Sequence, residues 1–283
     1  MKILLVIDQL PKDERIINFG AMIAGYTDSK ITLLHVEPFE KTQQDGEALL
    51  EKARQLLPEL SVETSLCFGK IVTKVLNEAR QGDYDLLIIG AYLRTKLSLS
   101  PQPLSAASWS IIKRTRVSVL VIHEAQPDLA HILICTGGQA ISEPAIEAGA
   151  QLAKACNGDV SLLHVAGAIP SMYTGLDEIE ETLPELLSSG TPIAQHLRRG
   201  AALLDKYVIP SQLKLRHGVV QEEILRELSL GDYDLIVTGS PESSQGLRRL
   251  LLGDVVENVI KNSSIPVLIV KKPLYIFPSA DSS

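Results

Sequence analysis

Short apolar runs separated by segments of helical period set the plan of this chain. Residues 3–7 and 132–135 are continuous and rich in β-branched side chains, the pattern of a strand buried on both faces of a parallel sheet. Runs of the same kind recur at 31–36, 62–67, 86–89 and 117–122, and again at 160–165, 213–217, 235–238 and 265–270. Between them apolar residues fall three and four apart. Ile16, Phe19 or Gly20, and Ile23 mark one buried helix face, and Ala145, Gly149, Leu152 and Cys156 another, with Ser142 as its expected N-cap and Pro144 in its first turn. Val75, Leu76 and Ala79 match Ile224, Leu225 and Leu228, while Ile193, Leu197, Ala201, Leu204 and Val208 predict a further helix. With right-handed crossovers, the pattern predicts an α/β chain of two tandem, doubly wound, five-stranded parallel-sheet domains.

The second half repeats the first. Gly-Asp-Tyr-Asp-Leu followed by an apolar run and a glycine occurs at 82–90 and at 231–239, an offset of 149 (231 − 82). Leu33-Leu34-His35-Val36 returns as Leu162-Leu163-His164-Val165 at an offset of 129 (162 − 33), and 117–122 returns as 265–270 at 148 (265 − 117). The second copy therefore carries about twenty extra residues within 166–200. We expect domains at 1–126 and 127–273 and a tail at 274–283. Ile179, Leu183 and Leu186 predict a helix in the extra segment, shortened or bent by Pro184, that covers a crevice or meets a partner.

Composition narrows the class. The chain has 283 residues, 45% of them hydrophobic and only 4% aromatic, so each half can bury an aliphatic core without a metal or disulfide. Cys67, Cys135 and Cys156 are an odd number without ligand spacing, which fits a reducing compartment. The net charge of −7 comes with no basic block, excluding a nucleic-acid partner, and no apolar stretch approaches a membrane span. The expected location is the cytoplasm.

In a doubly wound sheet, ligands bind where strand order reverses, at the carboxyl ends of the first and fourth strands. The positions to read are Asp8 and Gly137, just after each first strand, and the loops that start at Gly90 and Gly239. His35 and His164 close the second strands and read as structural.

Leu-Leu-His-Val at the second strand, Gly-Asp-Tyr-Asp before the fourth, and Gly246-Leu-Arg-Arg-Leu-Leu-Leu-Gly253 before a last helix ending in Ile265-Pro-Val-Leu-Ile-Val270 make the chain resemble the universal stress protein family. The resemblance covers nearly all of both halves. It implies the adenine nucleotide alpha hydrolase-like fold and an intramolecular pseudo-dimer, in which 117–122 faces 265–270 and the whole chain can pair again. Family members either bind ATP or AMP or do not, and few are enzymes. The binding members carry Gly-x2-Gly-x9-Gly-Ser/Thr after the fourth strand and a base-contacting Asp after the first. Glycines let the backbone close on phosphates, and helix N-terminal amides bind the anion.

By that resemblance the nucleotide-site positions are Asp8 and Gly90 in the first copy, and Gly137, Val165, Thr238, Gly239, Ser240, Gly246, Gly253, Asp254 and Val255 in the second. Neither set is complete. Glu242, or Ser240 and Ser243, fall at the second glycine; Asp254 replaces the hydroxyl; Gly137 replaces the carboxylate; and Ser105 and Ala106 stand where the first copy needs Gly and Ser. Asp254 is expected to cap the last helix, and Trp109 to be buried. Thr136-Gly137-Gly138-Gln139 also invites comparison with the Ser-Gly-Gly-x-Asp-Ser of adenylating enzymes, but Ala140 and Ile141 replace the Asp and Ser. No nucleophile, base and orienting group assemble, so no enzyme is expected. The reading is a stress-linked regulatory or interaction module with an unidentified protein partner, and with ATP or AMP bound weakly or not at all. The alternative is ATP or AMP binding in the second copy.

Overall fold

The computed structural model describes residues 1–38, 43–93, 104–123, 128–139, 142–167, 182–240 and 247–276, with the backbone alone for 247–253. Strand and helix alternate as β1 (Lys2–Ile7), α1 (Glu14–Tyr26), β2 (Lys30–Glu37), α2 (Gln43–Gln55), β3 (Val62–Phe68), α3 (Ile71–Gln81), β4 (Leu86–Gly90), α4 (Ala106–Arg114) and β5 (Ser118–Ile122) in the first copy. The second copy gives β6 (His131–Thr136), α5 (Glu143–Cys156), β7 (Asp159–Ala166), α6 (Leu183–Ser188), α7 (Pro192–Tyr207), β8 (Ser211–His217), α8 (Val220–Leu230), β9 (Leu235–Gly239), α9 (Leu247–Asn262) and β10 (Val267–Val270). Among the described residues no helix is long and apolar enough to cross a membrane.

Two compact units form, Met1–Pro127 with Ser264–Ser283, and Asp128–Ser263. In the first the strand order is β3-β2-β1-β4-β5-β10, parallel from β3 to β5; in the second it is β9-β6-β7-β8, all parallel. The central strands are the most apolar: Ile3, Leu4, Leu5, Val6 and Ile7 of β1 are fully buried. Helix α1 lays Ile16, Ile17, Phe19, Gly20 and Ile23 on this sheet, as its spacing predicts. Strand order reverses between β1 and β4 and between β6 and β9, which opens a crevice at their carboxyl ends in each unit.

The repeated Gly-Asp-Tyr-Asp is architectural. Tyr84 and Tyr233 fold back over Gly82 and Gly231, where an added Cβ would lie 2.0 Å and 2.5 Å from a ring carbon. Each phenol then donates to a carboxylate of the preceding helix, Tyr84 to Glu78 at 2.9 Å and Tyr233 to Glu227 at 2.7 Å. Burial pushes the Tyr84 phenol up to about 12. The second Asp ties the incoming strand to its neighbour. Asp85 accepts from the Lys2 amide at 2.9 Å, and Asp234 from the amides of Ala130 and His131 at 2.8 and 2.9 Å. Burial would raise Glu227, but Lys214, Tyr233 and Arg216 surround it and hold its carboxyl at about 2.

The last strand belongs by sequence to the second copy and by contact to the first unit. β10 runs antiparallel to β5, with Val267, Leu268 and Ile269 opposite Val121, Leu120 and Val119. The fifth strands of the two copies therefore face each other as expected. Beyond β10, Lys271 donates through Nζ to the carbonyls of Ile112 and Thr115 at the end of α4, at 2.5 and 2.8 Å, and Lys272 to that of Tyr84 at 2.9 Å.

Two expectations are corrected. Trp109 is half-buried: α4 buries Ser108, Ile111 and Ile112, which leaves the indole one step round, 5.1 Å from the Lys113 ammonium. The described part of the extra segment buries Leu186 of α6 against Ala194 and Leu197 of α7. Its helix is short, as Pro184 implies, and Thr182 with Glu185 caps it reciprocally; Ile179 lies outside the described residues. Finally, α9 starts at Leu247, so Asp254 is an exposed residue of the helix interior and caps nothing. Leu-Arg-Arg-Leu-Leu-Leu is a run of strong helix formers and extends the helix backward by two turns. Ser142 holds the N-cap position of α5 without a side-chain cap bond.

A matched pair of substitutions tests the tyrosine fold. Gly82→Ala should cost about 1–3 kcal/mol, because the backbone there is an ordinary φ of −88° and only the ring is in the way. Gly25→Ala, in an exposed turn of α1 with nothing within 4 Å, should instead gain up to about 1 kcal/mol. Urea unfolding of both variants gives the two signs; equal effects would contradict the steric account. Leu268→Lys should cost more than about 3 kcal/mol by placing an unpaired charge among buried strands. An unchanged thermal midpoint would show that β10 is dispensable.

Candidate functional site

In the first unit, the loop after β1 is closed by a residue that the sequence pattern did not single out. Asp13, at the start of α1 and 5% exposed, turns its carboxylate back to accept from the amides of Asp8 and Gln9 at 2.5 and 2.9 Å. Burial raises the Asp13 carboxyl group, and the two amide bonds oppose the rise. Asp8 itself is half-buried beside this bond. Across the crevice Gly90 ends β4, buried, with Ile16 where a side chain would be. Its carbonyl accepts from Ser108 Oγ at 2.8 Å, and Ser105 caps α4 by accepting from the Ser108 amide at 3.0 Å. The amides that could bind an anion at β1 are thus engaged by Asp13, and the helix N-terminus beyond β4 carries its own cap.

The second unit is built differently at the equivalent positions. Gly137 is exposed, and among the described residues an added Cβ would find only Ser142 Oγ, at 3.9 Å. Gly138 has φ +76°, and its amide donates to Thr136 Oγ1 at 3.3 Å. Two histidines converge on Thr136. His164 Nδ1 donates to the Thr136 carbonyl at 3.1 Å, and Nε2 of His196, on α7, lies 2.7 Å from Thr136 Oγ1. Burial pushes His164 down against the Thr136 carbonyl, with His217 adding to the fall. It also pushes His196 down, opposed by Glu143 and assisted by Arg199 and His164.

Strand pairing brings several expected positions together. Thr136 stands opposite His164 and Cys135 opposite Thr238, which gathers Gly137, Val165, Thr238 and Gly239 at the carboxyl ends of β6, β7 and β9. Val165, Thr238 and Gly239 are half-buried, and Ser240 is buried. Gly246 lies outside the described residues. Gly253, Asp254 and Val255 are not brought into this group as a helix N-terminus, because only the first four amides of a helix are free and α9 begins at Leu247. His35 is structural, as expected: Nδ1 donates to the Ile7 carbonyl at 3.0 Å and Nε2 meets Glu37 at 2.9 Å. Of the residues missed, Asp13 had the signal of an acidic residue at a helix start. His196 had the signal of four-residue spacing to Gly200 and Leu204.

The model of the universal stress protein family matches residues 129–271. The chain belongs to this family. A universal stress protein of Methanocaldococcus jannaschii is 32% identical over 142 residues, which cover 50% of this chain and 82% of that protein. Universal stress protein YxiE of Bacillus subtilis is 30% identical over 148 residues, 50% of this chain and 97% of that one. A universal stress protein structure from Archaeoglobus fulgidus superposes with a TM-score of 0.65 at 17% identity over 96% of both chains, so the fold extends over both copies of this universal stress protein.

Removing the internal carboxylate should be felt at once. Asp13→Ala leaves two loop amides without their acceptor and should cost about 1–3 kcal/mol, whereas Asp13→Asn retains an acceptor oxygen and should cost less. Because the native state holds the Asp13 proton more tightly than the unfolded chain does, its contribution falls as pH rises through the interval above the usual 3.8. Denaturant titrations of the two variants near neutral pH separate them; equal losses would show that the carboxylate bonds contribute nothing.

Proposed function

We infer that this universal stress protein is a cytoplasmic, non-catalytic regulatory or interaction module, linked to stress and working through a protein partner, in which adenine-nucleotide binding is weak or absent. The observation that carries the reading is the Asp13 carboxylate on the amides of Asp8 and Gln9, since an anionic ligand at that loop would compete with a charge already in place. The second unit supports it from the other side. Gly137 supplies no carboxylate to a base, and the amides of 253–255 are spent inside α9.

A second reading, ATP or AMP bound in the second unit, has one observation in its favour. Among the described residues the space at Gly137 is open. Mass spectrometry of protein purified without added nucleotide, followed by calorimetric titration with ATP, decides between the two. The expected result is no bound nucleotide and a dissociation constant weaker than about 1 mM. Stoichiometric adenine nucleotide carried through purification, or a gain in affinity from Gly137→Asp, would establish the second reading instead.

A further inference from the structure

The two copies hold the same histidine in opposite ways. His35 of β2 has Glu37 two residues on, and the pair is buried and hydrogen-bonded: Nδ1 donates to the Ile7 carbonyl and Nε2 meets the carboxylate. At the matching place in β7, His164 has Ala166. No carboxylate accompanies it there. His164 instead converges with His196 on Thr136, and His196 is fully buried with an Nδ1 that has no hydrogen-bond partner among the described residues.

That arrangement tolerates only neutral imidazoles. His164 must be the Nδ1–H tautomer, because the Thr136 carbonyl can only accept. His196 can exchange its hydrogen bond with Thr136 Oγ1 in either sense while neutral. As an imidazolium it would carry an N–H at Nδ1 with no acceptor, and a charge in a site from which water is excluded. Most of the groups around it also oppose a proton. Glu143 of α5 favours the proton but is bound by Arg199 of α7 at 3.0 Å, while Arg199, His164 of β7 and, beyond it, His217 of β8 oppose one. Glu185 of α6 is occupied with Thr182, and Glu227 of α8 with Lys214 and Arg216 of β8.

We propose that the second unit is an acid-sensitive switch, in which protonation of His196 and His164 releases α6 and α7 from the end of β6 and uncovers Thr136 and Gly138. Leu186 of α6 packs on Ala194 and Leu197 of α7, and the same cluster meets Leu215 of β8, so the two helices would part from β8 as one piece. The first unit, whose histidine has its carboxylate, stays closed. The inference does not depend on whether nucleotide binds.

The sign follows from where the protons go. The native state holds these histidines below the usual value of about 6.5, so between the two values the open form binds more protons and is favoured as pH falls. Between the usual value and the lowered native one, each pH unit multiplies the open population by up to about tenfold per histidine. Hydrogen exchange of the full chain, corrected for intrinsic rates and compared at about pH 7.5 and about pH 5.5, reads it directly. Exchange across 183–200 should rise at the lower pH, by up to about tenfold per histidine, while β1, β2 and β4 do not change. His196→Gln should flatten the response. Ala166→Glu, which gives His164 the partner that His35 has, should weaken it without touching α7. An acid response in wild type that is absent, that spreads equally over the first unit, or that persists at full size in both variants would overturn the switch.

Discussion

A carboxylate bonded to the start of a neighbouring strand fixes the geometry on which the rest depends. Asp85 and Asp234 hold the beginnings of β4 and β9 beside those of β1 and β6, and their own amides return the bond to the carbonyls of Lys2 and His131 at 2.9 Å in both units. This is where the chain, having laid β2 and β3 to one side, crosses back and starts the other. Charge-assisted bonds of this kind contribute about 1.5–3 kcal/mol each. More to the point, they set register, and register decides which residues stand at the opposite, carboxyl ends of the strands. Tyr84 and Tyr233 reinforce the lock by tying the same turn to the preceding helix through Glu78 and Glu227.

Most of that frame was legible in the sequence because it obeys two periods. Strands buried on both faces read as unbroken apolar runs, and helices laid on a sheet repeat at three and four, so the ten strands fell within a residue or two of their runs. The repeated Gly-Asp-Tyr-Asp was visible as a motif, but its purpose was not, since nothing in a string of letters shows a ring folded over a glycine. The site was less legible. Motif counting placed a helix start at Gly253 and Asp254, whereas local propensity in the leucine and arginine run decided the matter at Leu247. Trp109 failed for a related reason: a large aromatic was assigned to the core by type, while the period of α4 placed Ser108 there. Contacts made between distant segments, such as Thr136 with His196 sixty residues on, leave no local pattern at all.

At constant offset the two loops after the first strand can be compared position by position. Asp8 corresponds to Gly137 and Asp13 to Ser142. In the first unit the carboxylate of Asp13 reaches back and fixes the loop; in the second the Ser142 side chain makes no cap bond, and the Gly138 amide turns to Thr136 Oγ1 instead. One loop is organised by a charge from the helix that follows it. The other is organised by a hydroxyl within it and by imidazoles from β7 and α7. The strand order beneath is the same, and these two loops diverge at the ends of the first strands, where change costs the frame little.

The outer strands show where such a module can and cannot meet another chain. β3 and β8 end the strand order of their units, and an open edge invites pairing unless something blunts it. β3 carries Glu63, Thr64 and Ser65 in its exposed half, and β8 carries Lys214 and Arg216, both committed to Glu227. A strand added at β8 would have to accommodate these fixed charges. It could not displace them without leaving Glu227, 3% exposed, as an uncompensated buried carboxylate. Recognition by strand addition is therefore disfavoured at that edge.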